Sequence, residues 1–322
     1  MLQALVWSAG GLALLVVGAD VLVRGGSALA ARLRVPPVVV GLTIVAIGTS
    51  APELAIGIEA AVQGNGSLAV GNIAGTNCVN ILLILGLSAA MRPLPLRLQT
   101  LRFELPAIVV ASLVKAVMVV DGVLSRFDGA VLLLLGLLFT VGIVRSARGE
   151  SFTVRKEFAS EYGAGSMDRR DIARAVAELV VGIVVVVLGA GWLVDGAVDL
   201  ATLWGVSDAF IGLTIVAIGT SAPELVTTVV STVRNQRDIA IGNLIGSSAY
   251  NILVILGVIS LVPTGGIRIS DALIWVDVPV MVAVALACVP VFITGRIVSR
   301  LEGVGFVAAY FVYLAYLIAS RT

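Results

Sequence analysis

Two glutamates of this chain lie in identical surroundings. Residues 41–54 and 212–225 both read GLTIVAIGTSAPEL, which places Glu53 and Glu224 at equivalent positions 171 residues apart. Each acid lies in a long apolar run that contains no Lys or Arg. A carboxylate at membrane depth costs roughly 2.5–3.5 kcal/mol on insertion scales, so both acids need a partner. This setting favours a bound cation over the alternative, a protonated structural glutamate.

A proline directly precedes each glutamate. Because proline lacks an N–H and its ring clashes with the carbonyl four residues earlier, Pro52 and Pro223 each free a backbone carbonyl. Carbonyl, hydroxyl and carboxylate oxygens are the hard ligands that Ca²⁺ prefers. An ordinary proline kink would leave the adjoining acid unexplained. The side chains expected on one helix face with the acid are Thr49, Ser50 and Glu53 in one copy, and Thr220, Ser221 and Glu224 in the other.

A second pair of polar ridges follows each acid. Residues 71–86 and 242–257 are identical at nine of sixteen positions, and polar residues recur there every fourth position. Such side chains either supply neutral oxygens to an ion or bond one helix to the next. The residues are Asn72, Thr76 and Asn80 in the first ridge, and Asn243, Ser247 and Asn251 in the second.

Composition restricts the class of protein. Of the 322 residues, 59% are hydrophobic and 13% are charged, against about 25% charged in a typical soluble protein. There is no His, the net charge is +1, and only two Cys occur. A nucleic-acid binder, a disulfide-rich domain and a soluble enzyme are therefore disfavoured. An intramembrane hydrolase using Ser50 or Ser221 would lack a His or Lys base. These figures favour a polytopic membrane protein, and we expect it to have no catalytic residues and no cofactor.

Apolar runs of about 20 residues predict membrane-spanning helices. The sequence predicts an all-α polytopic membrane protein with a first five-helix repeat over residues 1–145, a cytoplasmic connector over 146–171 and a second repeat over 172–322. Because five is an odd number, the second repeat must be inverted in the membrane, which is typical of secondary transporters with a midplane site. The ten predicted spans are 3–22, 36–60, 68–90, 101–120, 128–145, 172–194, 206–232, 239–261, 272–293 and 302–319.

Basic residues predict the orientation. Of the 21 Lys and Arg residues, 17 lie in the connections after the odd-numbered spans. Positive residues favour the cytoplasmic side, so we expect both termini outside a prokaryotic cell membrane.

The duplicated GTSAPE segments, each followed by G-N-x-x-G-[ST]-x-x-x-N, resemble the alpha-repeats of the cation/calcium exchanger superfamily, and of its prokaryotic sodium/calcium exchangers in particular. This resemblance implies exchange of Ca²⁺ for Na⁺ by alternating access, with four cation sites at the midplane and spans 1 and 6 sliding against the other eight. It implies that Glu53 and Glu224 hold Ca²⁺. Further implied ligands are the hydroxyl or carbonyl groups of Thr49, Ser50, Thr220, Ser221, Thr76 and Ser247, the side chains of Asn80 and Asn251, and the backbone carbonyls of Ala46 and Ala217.

Two departures from the family pattern bear on the coupling ion. Asn251 stands where relatives often have Asp, which argues against K⁺ co-transport. The acid that follows Gly-Asn in calcium/proton exchangers is absent, which favours Na⁺ over H⁺. We therefore expect a Na⁺/Ca²⁺ antiporter, with Ca²⁺/H⁺ exchange at the same site as the alternative and a passive cation channel as a different class. The expected partners are Ca²⁺, Na⁺ and the lipid bilayer, without nucleic acid or an implied protein partner.

Overall fold

The computed structural model describes residues 1–33, 35, 37–96, 100–149, 169–204 and 217–321. Most of the predicted connector, and the start of the predicted seventh span, lie outside the described residues. Within the described residues the chain is almost wholly helical, with four two-residue strands.

The first half of the chain contains eight described α-helices and two strands. The helices are α1 (Leu2–Leu33), α2 (Pro37–Val40), α3 (Ala46–Thr49), α4 (Ala51–Val62), α5 (Gly66–Cys78), α6 (Gly86–Met91), α7 (Leu105–Met118) and α8 (Arg126–Gly149). The strands are β1 (Leu94–Pro95) and β2 (Val123–Leu124).

The second half contains seven described α-helices and two strands. The helices are α9 (Arg169–Leu203), α10 (Ala217–Thr220), α11 (Ala222–Val233), α12 (Arg237–Tyr250), α13 (Leu256–Leu261), α14 (Val278–Ile293) and α15 (Arg300–Arg321). The strands are β3 (Ile267–Arg268) and β4 (Ile297–Val298).

Several helices are joined by π-helical turns, in which each backbone bond spans five residues. Such turns are rare and occur often at functional sites. Here they connect α2 to α3, α5 to α6 and α12 to α13, and they precede α7 and α14. The π-helical segments are Gly41–Val45, Val79–Leu85, Thr100–Glu104, Asn251–Ile255 and Leu273–Asp277.

Seven described helices are long and apolar enough to cross a membrane, or eight if the bent pair Val38–Thr49 and Ala51–Val62 forms one span. The predicted seventh span is described only from Ala217, and the predicted fourth contains the 14-residue helix α7. The described residues therefore agree with a multi-pass membrane protein, and they do not confirm the count of ten spans. The described spans Gly66–Met91 and Arg237–Leu261 are the most buried, and they form the centre of the molecule.

The long helices α1 and α9 pack closely against each other through glycines. A Cβ atom on Gly11 would lie 2.4 Å from the backbone N of Leu193, and one on Gly25 would lie 2.5 Å from that of Leu179. The contact partners run in opposite directions along the two helices, so the pair is antiparallel. Gly182 in α9 approaches the backbone of Leu22 in the same way. The apolar residues of this pair belong to two small clusters separate from the main core, which also include Val40, Val45, Ile239 and Ala222.

Two short antiparallel ribbons join the halves of the chain. Strand β1 pairs with β4, through Leu94 and Val298, and β2 pairs with β3, through Val123 and Arg268. The connections after the predicted spans 3 and 9 therefore meet at one end of the molecule, and those after spans 4 and 8 meet at another.

Candidate cation site

Each predicted acid follows a break between two helices. Helix α3 ends at Thr49 and α4 begins at Ala51, with Ser50 at φ −82° and ψ 12° between them. The two segments are bent by 41°. Ser221 has nearly the same backbone angles, φ −86° and ψ 5°, between α10 and α11. The repeated Ala-Pro sequence thus produces the same break twice, and it places each glutamate in the first turn of the helix that follows.

The fold brings the two acids together inside the protein. Glu53 and Glu224 are both fully buried, and Ser50, three residues before Glu53, contacts Glu224. The hydroxyl of Ser50 donates a hydrogen bond to Oε1 of Glu224 at 3.2 Å. Among the described residues, neither oxygen of Glu53 has a hydrogen-bond partner, and neither has Oε2 of Glu224. Two buried like charges with open oxygens require a counter-charge or protons.

Thr49 is the centre of a group of oxygen atoms from both halves of the chain. Its Oγ1 lies 3.1 Å from Oδ1 of Asn243, 3.4 Å from Oγ of Ser247 and 3.3 Å from the carbonyl oxygen of Ala46. Ser247 Oγ also lies 3.4 Å from the Ala46 carbonyl. A hydroxyl donates only one proton. The hydroxyl protons of Thr49 and Ser247 are therefore too few to bridge all of these short oxygen–oxygen contacts. Such a group is suited to a hard cation.

The polar ridges of α5 and α12 are buried as well. Thr76 is 2% exposed, and Asn80 and Asn251 are fully buried. Among the described residues, the hydroxyl of Thr76 and both amide atoms of each asparagine have no hydrogen-bond partner. Asn80 lies in one π-helical segment and Asn251 begins another. Because buried polar groups are normally bonded, these open atoms favour a ligand-binding role over helix-to-helix bonding.

Two glycines of the second ridge allow its helix to approach the first half closely. A Cβ atom on Gly242 would lie 2.6 Å from the carbonyl oxygen of Val38, and one on Gly246 would lie 2.7 Å from that of Leu42. Any larger residue would push α12 away from the segment that leads to Thr49. These positions therefore control the distance between Ser247 and Ala46.

The predicted site residues fall into two groups. Hydrogen-bond distances join Thr49, Ser247 and the carbonyl of Ala46, and a second contact joins Ser50 to Glu224. Glu53 is buried three residues after Ser50. Four others are buried but have no described contact to these residues: Thr76, Asn80, Asn251 and Ser221. Thr220 is buried directly before Ser221. Ala217 begins α10, and its side chain lies outside the described residues.

Two polar residues were not among the predicted ligands. Asn243, recognised only as a ridge residue, accepts from Thr49 and donates its Nδ2–H to the hydroxyl of Thr228 at 3.2 Å. Thr228 follows Glu224 by four residues, a helical spacing that could have revealed it. Both side chains are fully buried.

The arrangement is suited to a hard cation held mainly by neutral oxygens. Among the described residues, no three of His, Cys, Asp and Glu cluster in a way that could hold a metal ion. The candidate ligands are two carboxylates with hydroxyl, amide and carbonyl oxygens. Ca²⁺ takes six to eight oxygen ligands of this kind.

Comparison with known proteins agrees with this geometry. The family described as sodium/calcium exchanger protein matches residues 3–145 and 174–319. The chain is 39% identical over 266 residues to the inner membrane protein YrbG of Escherichia coli, in an alignment that covers 80% of this chain and 79% of that protein. It is 30% identical over 338 residues to the sodium/calcium exchanger MaX1 of Methanosarcina acetivorans, which covers 95% of this chain and 96% of MaX1.

The fold is also similar to a solved exchanger. A structure of the sodium-calcium exchanger NCX_Mj superposes with a TM-score of 0.84 and 29% sequence identity, and covers 98% of this chain and 99% of that one. The family match extends over both halves of the chain and includes both glutamate segments. The chain is therefore a multi-pass membrane antiporter that belongs to the sodium/calcium exchanger family.

Proposed function

We propose that this protein exchanges Na⁺ for Ca²⁺ across the cell membrane by alternating access. The observation that carries the proposal is the pair of fully buried acids, Glu53 and Glu224, with open oxygens and a Ser50 hydroxyl between the two halves. The names of MaX1 and NCX_Mj, both sodium/calcium exchangers, support Na⁺ as the counter-ion.

Charge explains why the exchange is obligatory. Two carboxylates give the site a charge of −2, which one Ca²⁺, two Na⁺ or two protons would neutralise. Binding of Ca²⁺ and of the counter-ions is then mutually exclusive. The site alternates between the two loads because an empty, doubly charged site is unfavourable in the low-dielectric interior.

The proposed ligands extend from the acids to the neutral oxygens around them. We assign Ca²⁺ to Glu53 and Glu224, with Na⁺ at flanking positions. The neutral groups assigned to these cation positions are Thr49, Ser50, Thr76, Asn80, Thr220, Ser221, Ser247 and Asn251, with the carbonyls of Ala46 and Ala217.

The proposed architecture has ten spans in two inverted repeats, over residues 1–145 and 172–322, joined by a connector over 146–171. The antiparallel packing of α1 on α9 and the cross-pairing of β1 with β4 and of β2 with β3 support this arrangement. Each relationship pairs an element of one half with an element of the other. The basic residues favour a cytoplasmic connector and both termini outside.

The test is uptake of radioactive Ca²⁺ into proteoliposomes, with an imposed Na⁺ gradient in one set and an imposed pH gradient in another. Uptake driven by internal Na⁺ is expected. Uptake driven by the pH gradient without Na⁺ would replace the proposal with Ca²⁺/H⁺ exchange at the same acids.

A matched pair of variants links transport to the site. Glu53→Gln should abolish uptake, because it removes one of the two charges that balance Ca²⁺. Glu59→Gln should leave uptake unchanged, since Glu59 is exposed on the same helix and accepts a hydrogen bond from Gln63 at 3.1 Å. Full activity of Glu53→Gln would reject the site assignment.

A further inference from the structure

The buried face of α11 carries hydroxyl groups along its whole length. Thr227, Thr228, Ser231 and Thr232 follow Glu224 by three, four, seven and eight residues, and all four side chains are fully buried. This spacing places them on one side of the helix with the acid. We refer to these four residues as the hydroxyl face of α11.

The equivalent face of α4 is apolar. At the repeat offset of 171 residues, the hydroxyl face corresponds to positions without a single polar side chain. The corresponding residues are Ile56, Gly57, Ala60 and Ala61. The two halves therefore share their acids but differ in the side chains that follow each acid along its helix, which are hydroxylated in α11 and apolar in α4.

The hydroxyl face is continuous with the cation site. Asn243 accepts a hydrogen bond from Thr49 in the site and donates one to Thr228 on the hydroxyl face. Polar atoms thus extend without interruption from the oxygen group around Thr49 to the middle of α11.

Two members of the hydroxyl face have no bonding role in the state described here. Thr232 bonds the carbonyl oxygen of Thr228 in its own helix at 2.8 Å, as a structural hydroxyl does. Thr227 Oγ1 and Ser231 Oγ have no hydrogen-bond partner among the described residues. Leaving a buried hydroxyl unbonded costs free energy, which an opening of this region to water or ions would recover.

The neighbouring helices also differ in polarity: the one beside α11 carries a buried hydroxyl, and the one beside α4 has an apolar side chain at the equivalent position. Helix α6 packs against α11 and carries Ser88, which is fully buried and whose Oγ has no partner among the described residues. The equivalent of Ser88 in the second half is Ile259. Ile259 fills the space beside Gly57 so tightly that a Cβ atom there would lie 2.1 Å from its Cδ1.

We propose that the hydroxyl face of α11, with Ser88 opposite, is the route by which ions move between the central site and the membrane face at which α11 ends. In the state described here this route is closed, because its side chains are fully buried. When it opens, its hydroxyl oxygens replace part of the hydration shell of the passing ion. The equivalent region between α4 and Ile259 forms an apolar seal. This inference rests on the proposed antiport.

The test compares two single cysteines at equivalent positions, Ser231→Cys on the hydroxyl face and Ala60→Cys on the apolar seal. A cationic, membrane-impermeant methanethiosulfonate reagent is applied to each face of the membrane in turn, in the presence of Ca²⁺. The parent chain is the background control, because its two cysteines, Cys78 and Cys288, are both buried.

We expect Ser231→Cys to be labelled only from the face at which α11 ends, with complete loss of Ca²⁺ uptake after labelling. We expect Ala60→Cys to remain unlabelled from either face. A Ser231→Cys protein that transports Ca²⁺ but is never labelled would overturn the inference, as would labelling of Ala60→Cys at the same rate.

A third variant covers the case in which Ser231→Cys does not fold or transport. Thr227→Cys lies one turn closer to Glu224. Labelling from one face with loss of uptake is again expected, and a transporting variant that is never labelled would again overturn the inference. The labelling pattern is independent of the coupling ion. A parent chain that lacks Na⁺-driven uptake would therefore reject Na⁺ exchange, whereas the labelling pattern alone decides the route.

Discussion

Ser50 Oγ lies 3.2 Å from Glu224 Oε1, so a residue of one sequence copy binds the acid of the other. The reverse contact is not formed: among the described residues Ser221 Oγ has no hydrogen-bond partner, although Ser221 is the equivalent of Ser50. The two acids therefore have unequal surroundings despite identical local sequences.

Ser50→Ala should weaken Ca²⁺ binding by at least about tenfold, because a hydrogen bond to a charged group contributes about 1.5–3 kcal/mol. The half-saturating Ca²⁺ concentration for uptake measures the change. Thr43→Val is the control, since Thr43 bonds the carbonyl of Val39 in its own helix at 2.7 Å. An unchanged Ca²⁺ dependence in Ser50→Ala would show that this contact does not support the site.

Ca²⁺ should raise the melting temperature of the parent chain, because a ligand that binds only the folded state stabilises it by about 2.7 kcal/mol at roughly a hundredfold excess over Kd. Glu224→Gln should abolish this shift and should melt at a higher temperature than the parent without Ca²⁺, since it removes the repulsion from Glu53. Thermal unfolding in detergent measures both effects. A variant that keeps the full Ca²⁺ shift would contradict the role of Glu224.

Asn251→Asp should make Ca²⁺ uptake more sensitive to acid. In the proposed site Asn251 shares a cation with Glu53 and Glu224, and a third carboxylate there favours proton binding. Protons will then compete with Ca²⁺ at a higher pH than in the parent. The pH profile of uptake measures the shift. Asn65→Asp is the control, because Asn65 is exposed and accepts a hydrogen bond from Leu68 N at the start of α5. Identical profiles for the parent and Asn251→Asp would mean that Asn251 has only a structural role.

Gly25→Ala should destabilise the protein by about 1–3 kcal/mol, the usual cost of overpacking. The added Cβ would lie 2.5 Å from the backbone N of Leu179, which cannot move aside as a side chain can. Gly10→Ala on the same helix is the control, since its Cβ would lie at an ordinary 3.6 Å from the ring of Trp192. Chemical or thermal denaturation compares the two, and equal stability would contradict the close packing of α1 and α9.

The sequence predicted the local features of the site but not its connections. The duplicated Ala-Pro-Glu segment predicted freed carbonyls within two continuous helices, because proline acts on its own helix. The structure instead ends one helix before Ser50 and before Ser221 and begins another after it, so Thr49, Ser50 and Glu53 do not share the face of one helix. That Ser50 would bond Glu224 could not be predicted, since helical periodicity assigns a face to a residue but not the helix opposite. Asn243 was missed as a link for the same reason.

The π-helical turns and the span count illustrate the other limit. A π-helical turn changes the hydrogen-bond spacing by one residue and has no compositional signature, so the segments containing Asn80 and Asn251 read as ordinary helix. Hydropathy likewise reports an apolar run, whether the chain crosses as one helix or, as at Ser50, as two bent segments.

The glycine contacts between α1 and α9 have a consequence for how the molecule changes shape. At Gly11, Gly25 and Gly182 the backbones of the two helices are in direct contact. No side chain lies between them that could change its rotamer if one helix slid along the other. The helices cannot ratchet past each other by a fraction of a turn without collision. Any displacement of α1 must carry α9 with it, so a movement that begins in one half of the chain is transmitted directly to the other.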